Sequence, residues 1–412
     1  MSQLFTAVRI GSLTLPNRIA KTATSETMAT VDGTLTDAYL GFYERVAAGG
    51  VGLVVTGNLF AEPPGQSTPL QAGIESDARI PAWRELTDAI HRHGARAFAQ
   101  INHGGRQVFT RAIGRREAVS ASDVREKLMW TRPRPMSETE IEASIAAFAE
   151  AARRARAAGV DGVQIHSGHG YLVSQFLSPY TNRRRDGWGG GLDARLRFLR
   201  EVYRRTRERV GADFPIILKH NAEDRLAGRR GLTLEESLDA ARALEREGLD
   251  GIEVTCGMYE SGIPMLRGRV PIRALLRHGL GRHLPWWSRL GARLLEPLLR
   301  DRFPCVEGFQ RSYANAFKRH LAIPVLCVGG FQTGAAMDAA LAAGDCDVVS
   351  LGRALIADPE LPAKLRDGRP IVECNRCNEC IARAGAWPVA CYRDGVVPEG
   401  VAPVANPAAR AA

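Results

Sequence analysis

Short apolar runs recur along this chain and alternate with longer stretches in which apolar residues return every third or fourth position. The runs predict eight strands, at residues 18–23, 51–57, 95–101, 160–166, 214–221, 249–255, 323–330 and 346–352. The stretches between them, such as 141–159 and 233–248, have the period of helices that bury one face. The second of these opens with Thr233 and Glu236, the reciprocal pair that satisfies unpaired amides at a helix start. Strands that alternate with helices pair in parallel through right-handed crossovers. Eight such units predict an α/β fold: a (β/α)8 TIM barrel with loop insertions and a short C-terminal cysteine-containing extension. A doubly wound open sheet would carry a glycine fingerprint after its first strand, whereas here the chain runs into Thr22-Ala23-Thr24-Ser25.

Two insertions break the rhythm. Residues 103–140 are loop-like and rich in Gly, Arg and Pro; residues 257–315 are basic and carry Trp286 and Trp287. The second follows the sixth strand, so it is expected as a helical lid over the catalytic end of the barrel. The alternative is an amphipathic surface, within 273–303, that touches lipid or a partner. The domain plan is therefore a barrel over 1–370 that includes the 257–315 insertion, a cysteine-rich extension over 371–394, and a Pro/Ala/Val-rich tail over 395–412 expected to be disordered.

Composition narrows the function classes. The 412 residues are 45% hydrophobic and 24% charged, as in globular proteins. No apolar run reaches the roughly 18 residues a spanning helix needs, so no integral membrane segment is expected. The N-terminal residues lack the features of a secretory signal, which makes a cytoplasmic location the expectation. The net charge of +10 is almost all arginine, with lysine only at 21, 127, 219, 318 and 364. These arginines are scattered among acidic neighbours on helix-like stretches, a pattern of solvated faces that argues against a nucleic-acid partner. A small-molecule substrate and a homo-oligomer fit such a chain. Of eight cysteines, Cys256, Cys305, Cys327 and Cys346 are dispersed and read as buried thiols, whereas Cys374, Cys377, Cys380 and Cys391 cluster near the C-terminus.

In a parallel barrel the chemistry sits where strands end. After the last two strands come Gly329-Gly330 and Gly352-Arg353. Glycine lets backbone N–H groups approach an anion and arginine grips it twice, which together point to a phosphate. After the fourth strand come His166, His169 and Tyr171. Two imidazoles and a phenol can hydrogen-bond and protonate a substrate; no third metal ligand stands beside them. Lys219 interrupts the apolar fifth strand, where a cation needs a negative partner, a Schiff base or developing negative charge to stabilise. Gln100 interrupts the third strand with an amide able to donate and accept.

With these residues assembled, the chain resembles the Old Yellow Enzyme family of FMN-dependent oxidoreductases from about residue 3 to 365. The motifs are LFTAVRIGSLTLPNRI at 4–19, AFAQINHGGRQ at 97–107, HSGHGYLVSQFLSPYTNRRRDGWGG at 166–190, VGG at 328–330 and LGR at 351–353. The resemblance implies an NAD(P)H-fed flavoenzyme that passes hydride from reduced flavin N5 to an activated alkene or a related electron-poor substrate. It implies that Thr22, Ala23, Thr24 and Ser25 run past the ring, with Ser25 near O4 where relatives carry Thr or Cys. Gly57, Asn58 and Gln100 would meet the pyrimidine edge, Lys219 would stand beside N1 and O2, and Gly329, Gly330, Gly352 and Arg353 would hold the phosphate. His166 and His169 match the pair that binds a carbonyl or nitro oxygen, and Tyr171 the phenol that protonates the α-carbon.

Larger members of the family, of the dienoyl-CoA reductase type, carry four cysteines for a 4Fe–4S cluster after the barrel and continue into further nucleotide-binding domains. This chain has Cys374, Cys377, Cys380 and Cys391, with the last two gaps one residue shorter than theirs, and is expected to lack those domains. A 4Fe–4S cluster, a tetrathiolate zinc site and free thiols all suit the spacing. The competing functions are a flavin-free phosphate-binding barrel using Lys219 as a Schiff-base lyase or aldolase, an amine dehydrogenase or demethylase on the same FMN scaffold, and a membrane- or partner-binding module.

Overall fold

The computed structural model describes residues 2–110, 112–114, 117–261, 267–399 and 401–402. All eight expected strands form: β1 (Ile19–Lys21), β2 (Leu53–Val55), β3 (Arg96–Asn102), β4 (Gly162–Ser167), β5 (Ile216–Asn221), β6 (Gly251–Thr255), β7 (Val325–Val328) and β8 (Val348–Leu351). They pair in parallel in chain order, and β8 pairs back onto β1 through Ser350 and Ala20, which closes the barrel. Closure removes the exposed edges that an open sheet would have to protect.

The period of two along each strand decides what fills the barrel. Ala20, Leu53, Val55, Phe98, Ile217, Leu326 and Val348 form an apolar plug, closed from below by Ile10 and Leu15. Those two come from an antiparallel hairpin, Val8–Ile10 with Leu13–Leu15. Two positions further along the strands the inward residues turn polar: Thr22, Gln100, Gln164, Lys219, Glu253 and Ser350, all buried. The outward positions pack against the surrounding helices in the main core. Thr233 caps the helix Leu234–Arg246 with Glu236, as the sequence predicts, and Ser137 does the same with Glu140 for the helix Glu138–Ala157.

The 103–140 insertion is not wholly irregular. Ala118–Ser120 and Pro133–Pro135 form a short parallel ladder that a Pro-rich sequence without alternation does not announce. The 257–315 insertion holds the helices Ile272–Arg277 and Trp286–Leu299. The latter does not pack down as the expected lid: none of its residues is buried. It rests by Ala292 and Leu299 on the small cluster of Val270, Ile272 and Leu276, too narrow a support to cover more than one stripe. The cysteine extension lies across the segment after β1, where Thr27 Oγ1 accepts from the Gly385 N–H at 2.7 Å and the Glu26 carbonyl accepts from Val389 N–H at 2.8 Å. Of the tail expected to be disordered, residues 400 and 403–412 lie outside the described residues.

Candidate active site

The polar inward layer is one hydrogen-bonded ring. Lys219 Nζ donates to Thr22 Oγ1 at 2.7 Å and to Glu253 Oε2 at 2.9 Å. Gln164 Nε2 donates to the same Glu253 oxygen at 3.0 Å, and Gln100 Nε2 donates to Gln164 Oε1 at 2.6 Å. Register makes this possible, because Lys219 lies opposite both His166 and Glu253, and Gln100 lies opposite Gln164. Burial pushes the Glu253 carboxyl up, but the Lys219 charge and the hydrogen bonds from Thr22, Lys219 and Gln164 outweigh it and hold the group below the usual range. An ammonium has three N–H groups. Two of those on Lys219 are placed, and one remains for a ligand above the ring.

Above this ring stand the histidines. His166 ends β4, and its Nδ1 accepts from the Gly168 N–H at 3.2 Å. That contact leaves the imidazole proton on Nε2, which faces His169 Nδ1 at 3.4 Å. His169 sits in the left-handed region, φ 56°. It is held there by Asn221 Oδ1, which accepts its backbone N–H at 3.0 Å, and by Thr255 Oγ1, 2.7 Å from Nε2. Burial, then the charge of Lys219, depresses His169 to about 3. Burial, then His169 and Lys219, drives His166 well below its ordinary value. Both rings are therefore neutral donors at physiological pH. Tyr171 stacks edge-on to His166 with centroids 4.8 Å apart. Burial foremost, then Tyr259, raises the Tyr171 pKa well above 10, so the phenol keeps its proton. Its oxygen lies 3.3 Å from Tyr259 OH and 3.5 Å from Asn58 Nδ2.

The segment leaving β1 is held by a second buried polar network, in which Thr24 bridges Lys21 and Glu26. Lys21 Nζ donates to the Thr22 carbonyl at 2.6 Å and to Thr24 Oγ1 at 3.0 Å. Thr24 and Tyr43 both donate to Glu26 Oε1, at 2.9 and 2.6 Å, and Tyr43 OH accepts from the Gly57 N–H at 2.7 Å. Desolvation lowers Lys21 to about 8 despite Glu26. A Cβ on Gly57 would lie 2.3 Å from the Thr24 carbonyl, so only glycine lets the β2 exit approach this segment. Ser25, Gly57 and Asn58 line one small cavity. At the far side Gly352 faces the methyls of Thr22 and Thr24. Gly330 has φ 72°, and a Cβ there would lie 2.6 Å from Cys305 Sγ. Arg353 Nη2 points to that same sulfur at 3.6 Å, and Nη1 donates to the Arg267 carbonyl at 2.7 Å and to Asn378 Oδ1.

The NADH:flavin oxidoreductase / NADH oxidase family matches residues 3–256 and 284–371. The chain belongs to this family. It is 35% identical over 378 residues to an NADH oxidase of Thermoanaerobacter brockii, covering 91% of this chain and 52% of that protein. It is 30% identical over 380 residues to 4,4'-dithiodibutanoate disulfide reductase of Rhodococcus erythropolis, covering 91% and 92%. Among solved structures it resembles 2-naphthoyl-CoA reductase in complex with 2-naphthoyl-CoA, with a TM-score of 0.78, 28% identity, and 91% and 54% of the two chains covered. The chain thus spans about half the length of several relatives it matches. Residues 257–283 and 372–394, the latter carrying the four clustered cysteines, lie outside the family match.

Sequence reasoning singled out Gln100, His166 and Lys219 but missed Gln164, Asn221, Glu253, Thr255 and Tyr259. The signal was available for four of them: each of Gln164, Asn221, Glu253 and Thr255 lies at a multiple of two from an inward strand residue, and so on the same face. Tyr259 and Cys305 lie on loops whose approach no periodicity encodes. The four clustered cysteines are brought into one neighbourhood. Burial, opposed by the charge of Arg353 and helped by Cys374, Cys377 and Cys391, pushes Cys380 up to about 12. Among the described residues, however, no group of three or more His, Cys, Asp or Glu side chains is arranged to hold a metal ion.

Proposed function

We propose that the chain is an FMN-dependent NAD(P)H oxidoreductase of the ene-reductase type. The observation that carries this reading is the neutral His166–His169 pair beside a protonated Tyr171, set over a ring with one lysine N–H left to give. The residues present suit a flavin mononucleotide: among the described residues Glu253 Oε1 and Ser350 Oγ are buried without a protein partner. Gly330 and Arg353 both approach Cys305 Sγ, and with their neighbours Gly329 and Gly352 they would hold the phosphate. Lys219, Gln100 and Thr22 would meet the ring, with Thr24, Ala23, Ser25, Gly57 and Asn58 along its edge. When bound, FMN supplies hydride accepted from a nicotinamide.

The protein's own groups do the rest. The His166 Nε2–H and an N–H of His169 hydrogen-bond a carbonyl or nitro oxygen and polarise the conjugated system. Thr255 and Asn221 fix His169, and the Gly168 amide fixes the tautomer of His166. Tyr171 holds a proton at its phenolic oxygen for delivery to the substrate carbon, with Tyr259 OH placed to accept and return a hydrogen bond. A Schiff base on Lys219 is disfavoured, because its Nζ is bonded to Glu253 and Thr22.

We further propose that Cys374, Cys377, Cys380 and Cys391, which share a neighbourhood without standing in a metal-holding arrangement, draw together around an iron–sulfur cluster or zinc when it binds. The support is a set of four thiols in one neighbourhood, with Asn378 between two of them bonded to Arg353. A cluster there would supply electron transfer; zinc would supply rigidity. Purified protein should be yellow and be bleached by NADH or NADPH, then recover its colour on adding an activated alkene. A colourless protein that takes up no FMN overturns the flavin assignment. Iron, sulfide and zinc all absent after anaerobic purification overturns the metal assignment.

A further inference from the structure

The helix Trp286–Leu299 presents three distinct faces. Ser288, Ala292, Glu296 and Leu299 form a half-buried inner stripe. Ala292 and Leu299 sit on Val270, Ile272 and Leu276, and Glu296 accepts from Arg273 Nε at 2.9 Å. Trp286, Leu290, Leu294 and Leu298, spaced four apart, form an outer row exposed by 74, 50, 71 and 71%. Trp287 and Leu295 widen this row, while Arg289, Arg293 and Arg300 edge it. The Trp287 ring meets Trp130 edge-on, centroids 4.7 Å apart, so the apolar surface continues onto Trp130 and Leu128 of the other insertion, both exposed. Large contiguous apolar patches on a protein surface mark interaction sites.

Charge selects the occupant. Residues 267–303 hold nine arginines against two carboxylates, Glu296 and Asp301, a net +7 out of the chain's +10. A second copy meeting this face across a two-fold axis would bring the same positive surface against itself. A nucleic acid would use the arginines and leave the leucine row in water. A half-apolar helix edged by arginine, with tryptophan at one end, fits a surface that is apolar below and anionic at its rim. We propose that this face docks the protein peripherally on an anionic lipid bilayer, with Trp286, Leu290, Leu294 and Leu298 in the headgroup–acyl boundary and the arginines on the lipid phosphates. Both insertions leave the C-terminal end of the barrel, so docking turns the end that carries His166 and His169 toward the bilayer. The inference is independent of the flavin chemistry.

The test is co-sedimentation of the full chain with vesicles of phosphatidylcholine alone or mixed with phosphatidylglycerol. Binding is expected only to the mixed vesicles, with a loss of roughly tenfold or more at high salt and a blue shift of tryptophan emission on binding. Leu294→Glu/Leu298→Glu is expected to lose roughly tenfold or more of that binding with unchanged circular dichroism, since both residues face solvent. Arg289→Glu/Arg293→Glu is expected to lose binding as well. No binding to the mixed vesicles, or binding retained by the leucine double variant, overturns the proposal. So does a dimer, seen by sedimentation equilibrium, that this double variant abolishes, because the face then belongs to a second copy.

Discussion

The ring inside the barrel and the helix Trp286–Leu299 outside it place side chains against the usual partition, in opposite senses. Thr22, Gln100, Gln164, Lys219 and Glu253 are polar and buried; Trp286, Leu290, Leu294 and Leu298 are apolar and exposed. Burying charge is tolerated only when each charge meets a partner. The ring meets that condition for most of its atoms and leaves a few, such as Glu253 Oε1, unused. Along the exposed helix each residue of the outer row stands half or more in solvent. Inside the barrel the departure from the norm points to a ligand that completes hydrogen bonds; outside, it points to a surface that completes burial.

The largest effect is expected at the ring. Lys219→Met leaves Glu253 buried without its cation and should lower stability by about 3–5 kcal/mol. Lys219→Met/Glu253→Leu should recover most of that loss while still failing to retain FMN. Urea denaturation of the three proteins checks this, and a single variant as stable as the parent would break the contrast between the buried ring and the exposed helix. Next, Tyr171→Phe should slow alkene reduction by about 10²–10⁴-fold and leave reduction of the enzyme by NAD(P)H nearly unchanged. Stopped-flow measurement of both half-reactions separates the two, and an equal fall in each would remove the proton-donor role.

A smaller effect concerns pH. His169 has its folded value lowered to about 3, whereas unfolded histidine titrates near 6.5. Below about 6.5 the unfolded chain takes up a proton that the folded one refuses, so this group's contribution is complete above that pH and is lost as pH falls toward about 3. The stability gap between the parent and His169→Asn should therefore shrink or reverse between pH 7 and pH 5. A constant gap would mean that His169 is not held neutral. The smallest effect belongs to the helix. Leu294→Glu should change folding stability by no more than about 0.5 kcal/mol in the absence of lipid, because the side chain loses no protein contact. A large loss would show that the row packs against the protein in solution.

How much was legible in the sequence differs between the same two regions. The strands, the Gly329-Gly330 and Gly352-Arg353 pairs after β7 and β8, and the His166, His169 and Tyr171 set were readable, because period and position relative to a strand end are local properties. Glu253 was not singled out, although it shares an inward phase with Lys219, because the register between β5 and β6, which brings the two side chains opposite one another, is set by the packed barrel and not by either segment alone. The helix Trp286–Leu299 departs from the lid expectation for a related reason. A helical period shows that a face is apolar, but not whether anything lies opposite it.

The sequence by itself determined the barrel, its family and the residues that stand at the strand ends, since each follows from short-range periodicity and local motif. Only the tertiary structure decided that Lys219 is paired with Glu253, that Arg353 reaches the loop between Cys377 and Cys380, and that the leucine row of Trp286–Leu299 faces water. Those facts are contacts, or missing contacts, between segments far apart in the chain, and they are fixed by the packing of the whole molecule.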